Sequence, residues 1–273
     1  MVNGAGKMGF LLRTFVRAFL PNGGPRGKAS QLKILFLDIE TSPTTAYVWG
    51  LWQQNVGLNQ IIDSGAVLCW AAKWAGQEGM KFCSTYKTGT KKMLEGIHKL
   101  LEEADVVVHY NGSRYDIPIL NREFVSHSMS PPAPYKQIDL LKVARNRFRF
   151  ISNKLDYVAH ALGLGQKIRH KGFELWIECM KNDPEAWKAM KEYNIQDVLL
   201  LEKLYDKFKP WIKTSVHIEG LVCPACGGSH YQSRGTYRSK LLVYQRFQCR
   251  CGKWFRSNKT ITPKGQERYV GID

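Results

Sequence analysis

Two carboxylates separated by one residue end the apolar run 34–41, Ile-Leu-Phe-Leu-Asp-Ile-Glu-Thr. Side chains alternate between the two faces of a strand, so Asp38 and Glu40 point to the same face. Apolar residues lie on both faces, which indicates a central strand. Burying two like charges side by side costs several kcal/mol unless a positive group, best a divalent cation, neutralises them. The alternative is a pair of solvated turn residues after a core strand.

Two later segments carry further candidate acids. A strand and an Asn-Gly turn precede Asp116, which places it in the first turn of a predicted helix, where capping or compensation of the helix dipole is the alternative role. Tyr193 and Asp197 lie four residues apart on a long predicted helix and therefore share a face. Apolar neighbours bury that face, and a buried lone carboxylate needs a partner. Together the sequence predicts a four-carboxylate cage for two divalent cations, formed by Asp38, Glu40, Asp116 and Asp197.

Three motifs occur in order along the chain, at residues 38–41, 110–120 and 193–197. They read Asp-Ile-Glu-Thr, Tyr-Asn-Gly-x-x-Tyr-Asp-x-Pro-x-Leu and Tyr-x-x-x-Asp, and they resemble the three motifs of DnaQ-like 3′–5′ exonucleases. The most similar variant is the proofreading domain of family B DNA polymerases and its stand-alone bacterial and bacteriophage relatives. Residues 154–159 and 163–165 also resemble that group. The resemblance covers residues 32–212 and implies an α/β, ribonuclease H-like fold with a mixed sheet flanked by helices.

The resemblance also implies a two-metal mechanism. Asp38 would bridge two Mg²⁺ or Mn²⁺ ions about 3.5–4 Å apart, with the other three acids around them. Tyr193 marks the tyrosine subclass of the family, and it is assigned to orienting water because a free tyrosine titrates near pH 10. The expected reaction is hydrolysis of terminal phosphodiester bonds of single-stranded nucleic acid, with DNA favoured. A catalytically weak or inactive nucleic-acid-binding adaptor and an RNA-directed exoribonuclease are the alternatives.

Four of the seven cysteines form a C-terminal cluster, Cys223 and Cys226 followed by Cys249 and Cys251. Paired thiolates at both ends of a predicted hairpin indicate one tetrahedral, structural Zn²⁺ site. The surrounding sequence resembles the zinc ribbons of transposase-type proteins. The second pair has one residue between its cysteines where two are usual, so His230 is an alternative ligand. This cysteine usage fits a reducing compartment, and a cytoplasmic location is expected.

The formal net charge of +17 is concentrated at the chain ends. Residues 1–37 hold six basic and no acidic residues, and residues 207–273 hold thirteen basic and three acidic ones. This distribution predicts a nucleic-acid partner, and a separate polymerase or replication or repair protein is a further expected partner. A solvated basic surface, and a purely structural ribbon, are the alternatives. The candidate contacts are Asn111, Arg145, Arg147, Arg149, Lys154, Arg246, Lys253 and Trp254.

The expected domains are a basic amphipathic arm with a linker at 1–31, an exonuclease domain at 32–213 and a zinc-ribbon module at 214–273. Helical spacing over residues 8–20 predicts a helix docked on the body, with an organelle transit peptide or a membrane-surface helix as alternatives. No run reaches the roughly 18–20 apolar residues of a membrane span. Strands are predicted near 34–41, 46–52, 66–74, 80–84, 105–110 and 136–141, and helices near 155–162, 173–180 and 184–208.

Overall fold

The structure is a computed structural model that describes residues 32–168, 170–212, 222–239 and 242–261. The predicted N-terminal helix and linker lie outside the described residues, and so does the expected domain boundary at 213/214. No helix in the described ranges has the length and hydropathy needed to cross a bilayer.

In the described chain five strands come first, strands and helices then alternate from α1 to α3, and three further helices precede the last three strands. The strands are β1 (Ile34–Thr41), β2 (Thr45–Ala46), β3 (Ile61–Asp63), β4 (Val67–Trp74), β5 (Lys81–Ser84), β6 (Val106–His109), β7 (Lys136–Asp139), β8 (Tyr231–Arg238), β9 (Val243–Cys249) and β10 (Trp254–Thr260). The helices are α1 (Thr85–Glu103), α2 (Asp116–Ser126), α3 (Leu140–Arg147), α4 (Leu155–Ala161), α5 (Glu174–Met180) and α6 (Pro184–Phe208).

Five strands form one mixed sheet in the order β5-β4-β1-β6-β7. The central strand β1 pairs antiparallel with β4 and parallel with β6. Strand β6 continues the parallel pairing to β7. The predicted α/β fold with a mixed sheet is confirmed, and the strand that bears Asp38 and Glu40 is the middle strand of that sheet.

Helices cover both faces of the sheet because β1 is apolar on both faces. Leu35, Leu37 and Ile39 pack in a core with α1 and α2. Phe36 points the other way, into a core with α3, α4 and α6. Alternation along the strand therefore gives each helical layer its own apolar contact surface. It also leaves the polar end of β1 between the two layers.

Two predicted strands differ from the structure. The strand predicted at 46–52 is wrong, since β2 contains only Thr45 and Ala46 and pairs with β3, while residues 47–60 project as a loop with one short 3₁₀ turn. The strand predicted at 136–141 stops at Asp139, whose side chain accepts a hydrogen bond from the backbone N–H of Leu141 and caps α3. A side-chain acceptor at that position ends the strand and starts a helix.

Candidate active site and cysteine centre

Three carboxylates meet where β1 ends beneath α6. Asp38 and Glu40 project from the same face of β1, and Asp197 projects from the middle of α6. One oxygen from each of the three lies within 4.8 Å of the others. Alternation along β1 and the position of Asp197 on α6 therefore bring the three carboxylates together.

The buried carboxylates of this cluster repel one another, so a bound cation would stabilise their charged forms. Burial, followed by the charges of Asp116, Glu40 and Asp197, raises the pKa of Asp38 well above its usual range. Burial and the charge of Asp197 raise the pKa of Glu40 to about 8. The buried Oδ1 atom of Asp197 has no hydrogen-bond partner among the described residues. An all-oxygen donor set with an orphaned acceptor fits a hard divalent cation such as Mg²⁺ or Mn²⁺.

Asp116 lies beside this cluster rather than within it. It is the first residue of α2, and its Oδ1 atom accepts a 3.2 Å hydrogen bond from the backbone N–H of Ile39. Burial raises the pKa of Asp116 to about 7, against the lowering effect of backbone N–H groups. Its charge raises the pKa of Asp38, so the two groups interact. The structure thus joins three of the four predicted acids directly and places the fourth next to them.

The turn before α2 is fixed by backbone conformation. Asn111 has a φ of 69°, and its N–H donates to Oδ1 of Asp139 at 2.9 Å. A Cβ on Gly112 would lie 2.5 Å from the ring of His109, so only glycine fits there. Ser113 donates to Oδ2 of Asp139 at 2.6 Å. This turn directs the first residue of α2 toward the carboxylates.

Two polar side chains at the site were not assigned to it from sequence. The amide of buried Asn194 donates a 2.7 Å hydrogen bond to Oδ2 of Asp38. The ammonium of Lys167 forms an ion pair with Asp197 and donates to the hydroxyl of Tyr193 at 3.1 Å. Asn194 could have been found from the sequence, because helical spacing places it on the buried face of α6 with residues 190, 197 and 201. Lys167 lies in a basic segment between the second and third motifs, and nothing in its local sequence distinguishes it from its basic neighbours.

Aromatic rings form a wall beside the carboxylates. The ring of His170 lies 4.7 Å from that of Tyr193, and the ring of Trp176 lies 6.0 Å from it. Burial and the charge of Asp197 raise the pKa of Tyr193 above its usual value, so the phenol stays protonated at neutral pH. An adjacent cavity of about 600 Å³ is lined by Glu40, Thr41, Tyr115, Arg122, Phe173 and Trp176, among others.

The four C-terminal cysteines form a second cluster with metal-site geometry. Their sulfur atoms all lie within 4.8 Å of one another, with 3.7 Å from Cys223 to Cys251 and 3.6 Å from Cys226 to Cys249. Zn–S bonds of about 2.3 Å in a tetrahedron give sulfur–sulfur separations of about 3.8 Å. The single residue between the second pair of cysteines is therefore compatible with zinc, and exposed His230 lies outside the cluster.

The three-stranded sheet of this module has two different faces. Its order is β10-β9-β8, and the register pairs Phe247 with Phe255 and Arg246 with Arg256. One face carries an aromatic cluster with the cysteines. On the other, Arg256 stacks on Tyr244 with 3.8 Å from guanidinium to ring centroid, and Arg246 stacks on Trp254 at 4.9 Å. We call this second face the arginine-aromatic face, formed by Tyr237, Tyr244, Arg246, Trp254 and Arg256.

Lys253 does not belong to that surface, contrary to the sequence-based prediction. Its side chain is buried, and its ammonium donates to the backbone carbonyl of Ile212, the last described residue before the ribbon. Tyr205 of α6 likewise donates to the carbonyl of Ala225 at 3.3 Å. A buried ammonium needs such an acceptor. Lys253 therefore attaches the ribbon to the body and is not available to nucleic acid.

The other predicted contacts in the body lie at the surface. Arg145, Arg147, Arg149 and Lys154 are exposed on and after α3, and the side chain of Asn111 is half-buried at the turn before α2. Burial lowers the pKa of Lys253, and the charge of Arg147 adds to that effect, so the end of α3 lies near the ribbon. Contacts of these residues with nucleic acid remain predictions.

Comparison with known proteins agrees with this geometry. The sequence profile of a family described as RNase_H superfamily matches residues 35–209. No curated protein matches the chain. Among solved structures, the family B DNA polymerase from the hyperthermophilic archaeon Pyrobaculum calidifontis is similar, with a TM-score of 0.50 and 19% identity. The similarity covers 66% of this chain but only 25% of that polymerase, and at this identity it is a similarity of fold. The mixed sheet, its acidic centre and the matched family together show that the chain belongs to the RNase H superfamily.

Proposed function

We propose that the protein is a metal-dependent 3′–5′ exonuclease that acts on single-stranded nucleic acid, with DNA favoured. The observation that carries the proposal is the cluster of Asp38, Glu40 and Asp197 at the edge of a cavity large enough for a terminal nucleotide. The direction of cleavage is supported by the resemblance of the three ordered motifs to 3′–5′ exonucleases.

Asp38, Glu40, Asp116 and Asp197 are the residues that would hold the metal ions. Two bound Mg²⁺ or Mn²⁺ ions supply Lewis acidity to the phosphate and lower the pKa of water. Asn194 fixes the orientation of Asp38 through its 2.7 Å hydrogen bond. Such supporting bonds hold a ligand in its productive rotamer.

Lys167 and Tyr193 shape the side of the site opposite β1. The ammonium of Lys167 lies between the carboxylate of Asp197 and the phenol of Tyr193, which fixes the orientation of the phenol. A protonated tyrosine hydroxyl can hold a water molecule but does not remove its proton at neutral pH. In the proposed reaction water adds to the terminal phosphorus and the bond to the 3′ oxygen breaks. The products are a nucleoside 5′-monophosphate and a strand with a new 3′ hydroxyl.

The cavity beside Glu40 suits the terminal nucleotide. The exposed rings of Tyr115 and Phe173 stand on its walls, where a base can stack. The hydroxyl of Tyr115 is hydrogen-bonded to that of Thr41 at 2.8 Å, which holds the Tyr115 ring in place.

The direct test uses single-stranded DNA and RNA labelled at either end. The purified protein should shorten 5′-labelled DNA one nucleotide at a time in Mg²⁺ or Mn²⁺ and release labelled mononucleotide at once from 3′-labelled DNA. Faster cleavage of RNA would indicate the exoribonuclease alternative. Binding without cleavage in either metal would favour the adaptor.

Replacing Tyr193 with phenylalanine should slow single-turnover cleavage by about 10- to 100-fold with little change in substrate affinity. Only the hydroxyl is lost, and groups that orient reacting atoms contribute mainly to the chemical step. Tyr86→Phe is the matched control, because Tyr86 lies at the start of α1, where its ring stacks on Trp187. An unchanged single-turnover rate in Tyr193→Phe would remove the phenol from the mechanism.

We also propose that the arginine-aromatic face of the ribbon holds the substrate strand. Described residues 222–239 and 242–261 include seven Lys or Arg and no Asp or Glu. Stacked guanidinium groups and rings offer contacts to phosphates and to unpaired bases together. The purely structural ribbon is the alternative that the following experiment separates.

The double variant Arg246→Ala/Arg256→Ala should bind single strands more weakly and with a flatter salt dependence. Each lost phosphate contact reduces the slope of log affinity against log salt by about 0.7, so the pair should reduce it by about 1.4. Trp254→Ala should weaken binding without changing that slope, because stacking releases no counterions. Lys91→Ala/Lys92→Ala removes two exposed charges from α1 and is the control. Equal salt slopes for the ribbon variant and wild type would leave the ribbon with a structural role.

A further inference from the structure

An uncharged loop follows β1, the strand that carries Asp38 and Glu40. Residues 42–62 contain no Asp, Glu, Lys, Arg or His, in a chain whose net charge is +17. Strands β2 and β3 form its stem, and the hydrogen bond from Tyr47 N–H to the Gln60 carbonyl, 2.9 Å long, extends that stem. We call residues 45–62 the aromatic arm.

The arm displays large apolar side chains to solvent. The exposed fraction is 99% for Trp49, 84% for Trp52 and 75% for Tyr47, and Leu51 and Leu58 are also exposed. Water-exposed rings on this scale are unfavourable unless something covers them in use. Large apolar side chains that are exposed together on one short segment are typical of an interaction surface.

The base of the arm is part of the wall of the cavity beside Glu40. Ser42, Pro43 and Thr44 enter the arm along that wall, and Ser64 and Gly65 return along it. Hydrogen bonds from Ser42 N–H to the Ala66 carbonyl, 2.9 Å, and from Ala66 N–H to Ser42 Oγ, 2.8 Å, close the base. The arm therefore rises from the rim of the proposed active site.

The base of the arm is also held rigidly. Gly65 has a φ of 77°, and a Cβ there would lie 2.5 Å from the carbonyl oxygen of Ser42. Arg122 of α2 donates to the Gly65 carbonyl at 2.6 Å. These contacts tie the base of the arm to α2 and to the wall of the cavity.

We propose that the aromatic arm stacks on unpaired bases of the strand that leads into the cavity. This inference rests on the proposed nuclease function. An arm without charge offers nothing to phosphates, whereas rings stack on every kind of base. Gln53, Asn55 and Asn59 are interspersed in sequence with the apolar residues of the arm, and their amide groups can hydrogen-bond to base edges. Phosphate contacts fall instead to the basic residues of α3 and the ribbon.

The arm then explains a preference for single strands. In a duplex the bases are stacked and paired, and their faces are not available to Trp49 and Trp52. A frayed or unpaired end exposes those faces within reach of the rim. The arm would hold several bases behind the terminal nucleotide and so favour strands longer than a dinucleotide.

The test removes rings from the protein and bases from the substrate. Binding is measured by fluorescence anisotropy in the Asp38→Asn background, so that no cleavage occurs, with labelled oligonucleotides that carry one abasic position at successive distances from the 3′ end. An abasic site at the contacted positions should weaken binding at least about fivefold. Trp49→Ala/Trp52→Ala should weaken binding of the intact strand by a similar factor and should abolish the sensitivity to those abasic sites.

The control variant changes an exposed apolar residue outside the arm. Val125→Ala, an exposed apolar change on α2, should bind like wild type with the full abasic penalty. An arm variant with unchanged affinity and an unchanged abasic penalty would overturn the inference. A change in solution mass of the arm variant without a change in nucleic-acid binding would also overturn it, and would assign the arm to a second copy of the chain. If wild type neither binds nor cleaves single strands, the proposed function itself fails.

Discussion

Replacing Asp38 with asparagine is expected to abolish cleavage and, in protein free of added Mg²⁺ or Mn²⁺, to raise the midpoint of thermal unfolding. Changes to groups that merely orient metal ligands commonly cost about 10- to 100-fold, so the loss of a proposed ligand within the cluster should cost more. The variant keeps its carbonyl acceptor for Asn194. It also removes a carboxylate whose pKa is raised by burial and by the charges of Asp116, Glu40 and Asp197.

The sign of the stability change follows from the raised pKa values. A carboxyl whose pKa is higher in the folded protein holds its proton more tightly there, so stability is lost as pH rises. For Glu40 this loss extends from its ordinary pKa of 4.5 to about 8. The Asp38→Asn variant should therefore show a smaller fall in the unfolding midpoint between about pH 5 and pH 8 than wild type.

The measurement needs protein dialysed into buffer without divalent cations rather than treated with a strong chelator, which would also strip thiolate-bound zinc. Added Mn²⁺ should raise the unfolding midpoint of wild type, because the ion binds the folded state and not the unfolded chain. The midpoint of the variant, which lacks a proposed ligand, should not change. Glu95→Gln, an exposed change on α1, is the control. If the Asp38→Asn variant retained Mg²⁺-dependent cleavage, the proposed metal-binding role of Asp38 would be wrong.

Local patterns predicted the parts of the site that depend on neighbours in sequence. The alternation around Asp38 and Glu40 and the four-residue spacing of Tyr193 and Asp197 each act within one strand or one helix. The same holds for Asp116, whose place at the first residue of α2 follows from the turn before it. The relative positions of residues within one strand or one helix do not depend on how the rest of the chain packs.

Features set by distant contacts could not be predicted in this way. Lys167 lies 30 residues before Asp197, and only the packing of the chain brings its ammonium to the site. The segment after Thr45 is rich in residues that favour strands, yet it has no neighbouring strand beyond Ala46 to pair with. Lys253 is a basic residue in a basic segment, which suggests a contact with nucleic acid. The packing of the ribbon on the body buries its side chain instead.

Replacing Cys223 with serine is expected to release zinc and unfold the ribbon. Its sulfur belongs to a module whose described sheet has only three strands, and structural zinc contributes about 10–16 kcal/mol of apparent binding energy in zinc-finger peptides. Wild type should carry one Zn²⁺ per chain, measured by elemental analysis, and the variant should carry none. Limited proteolysis should then degrade the ribbon while the body persists, because Tyr205 also packs on Phe36 at 5.3 Å.

Loss of the ribbon fold should weaken single-strand binding more than the loss of two arginines from its arginine-aromatic face, since every contact of that face is lost at once. Cys83→Ser is the matched control, because Cys83 lies on β5 outside the four-sulfur cluster. His230→Ala should keep its zinc, as the imidazole is exposed and outside that cluster. If His230→Ala lost zinc and Cys251→Ser retained it, the ligand set would be three cysteines and one histidine, and the geometry of the second cysteine pair would need a different explanation.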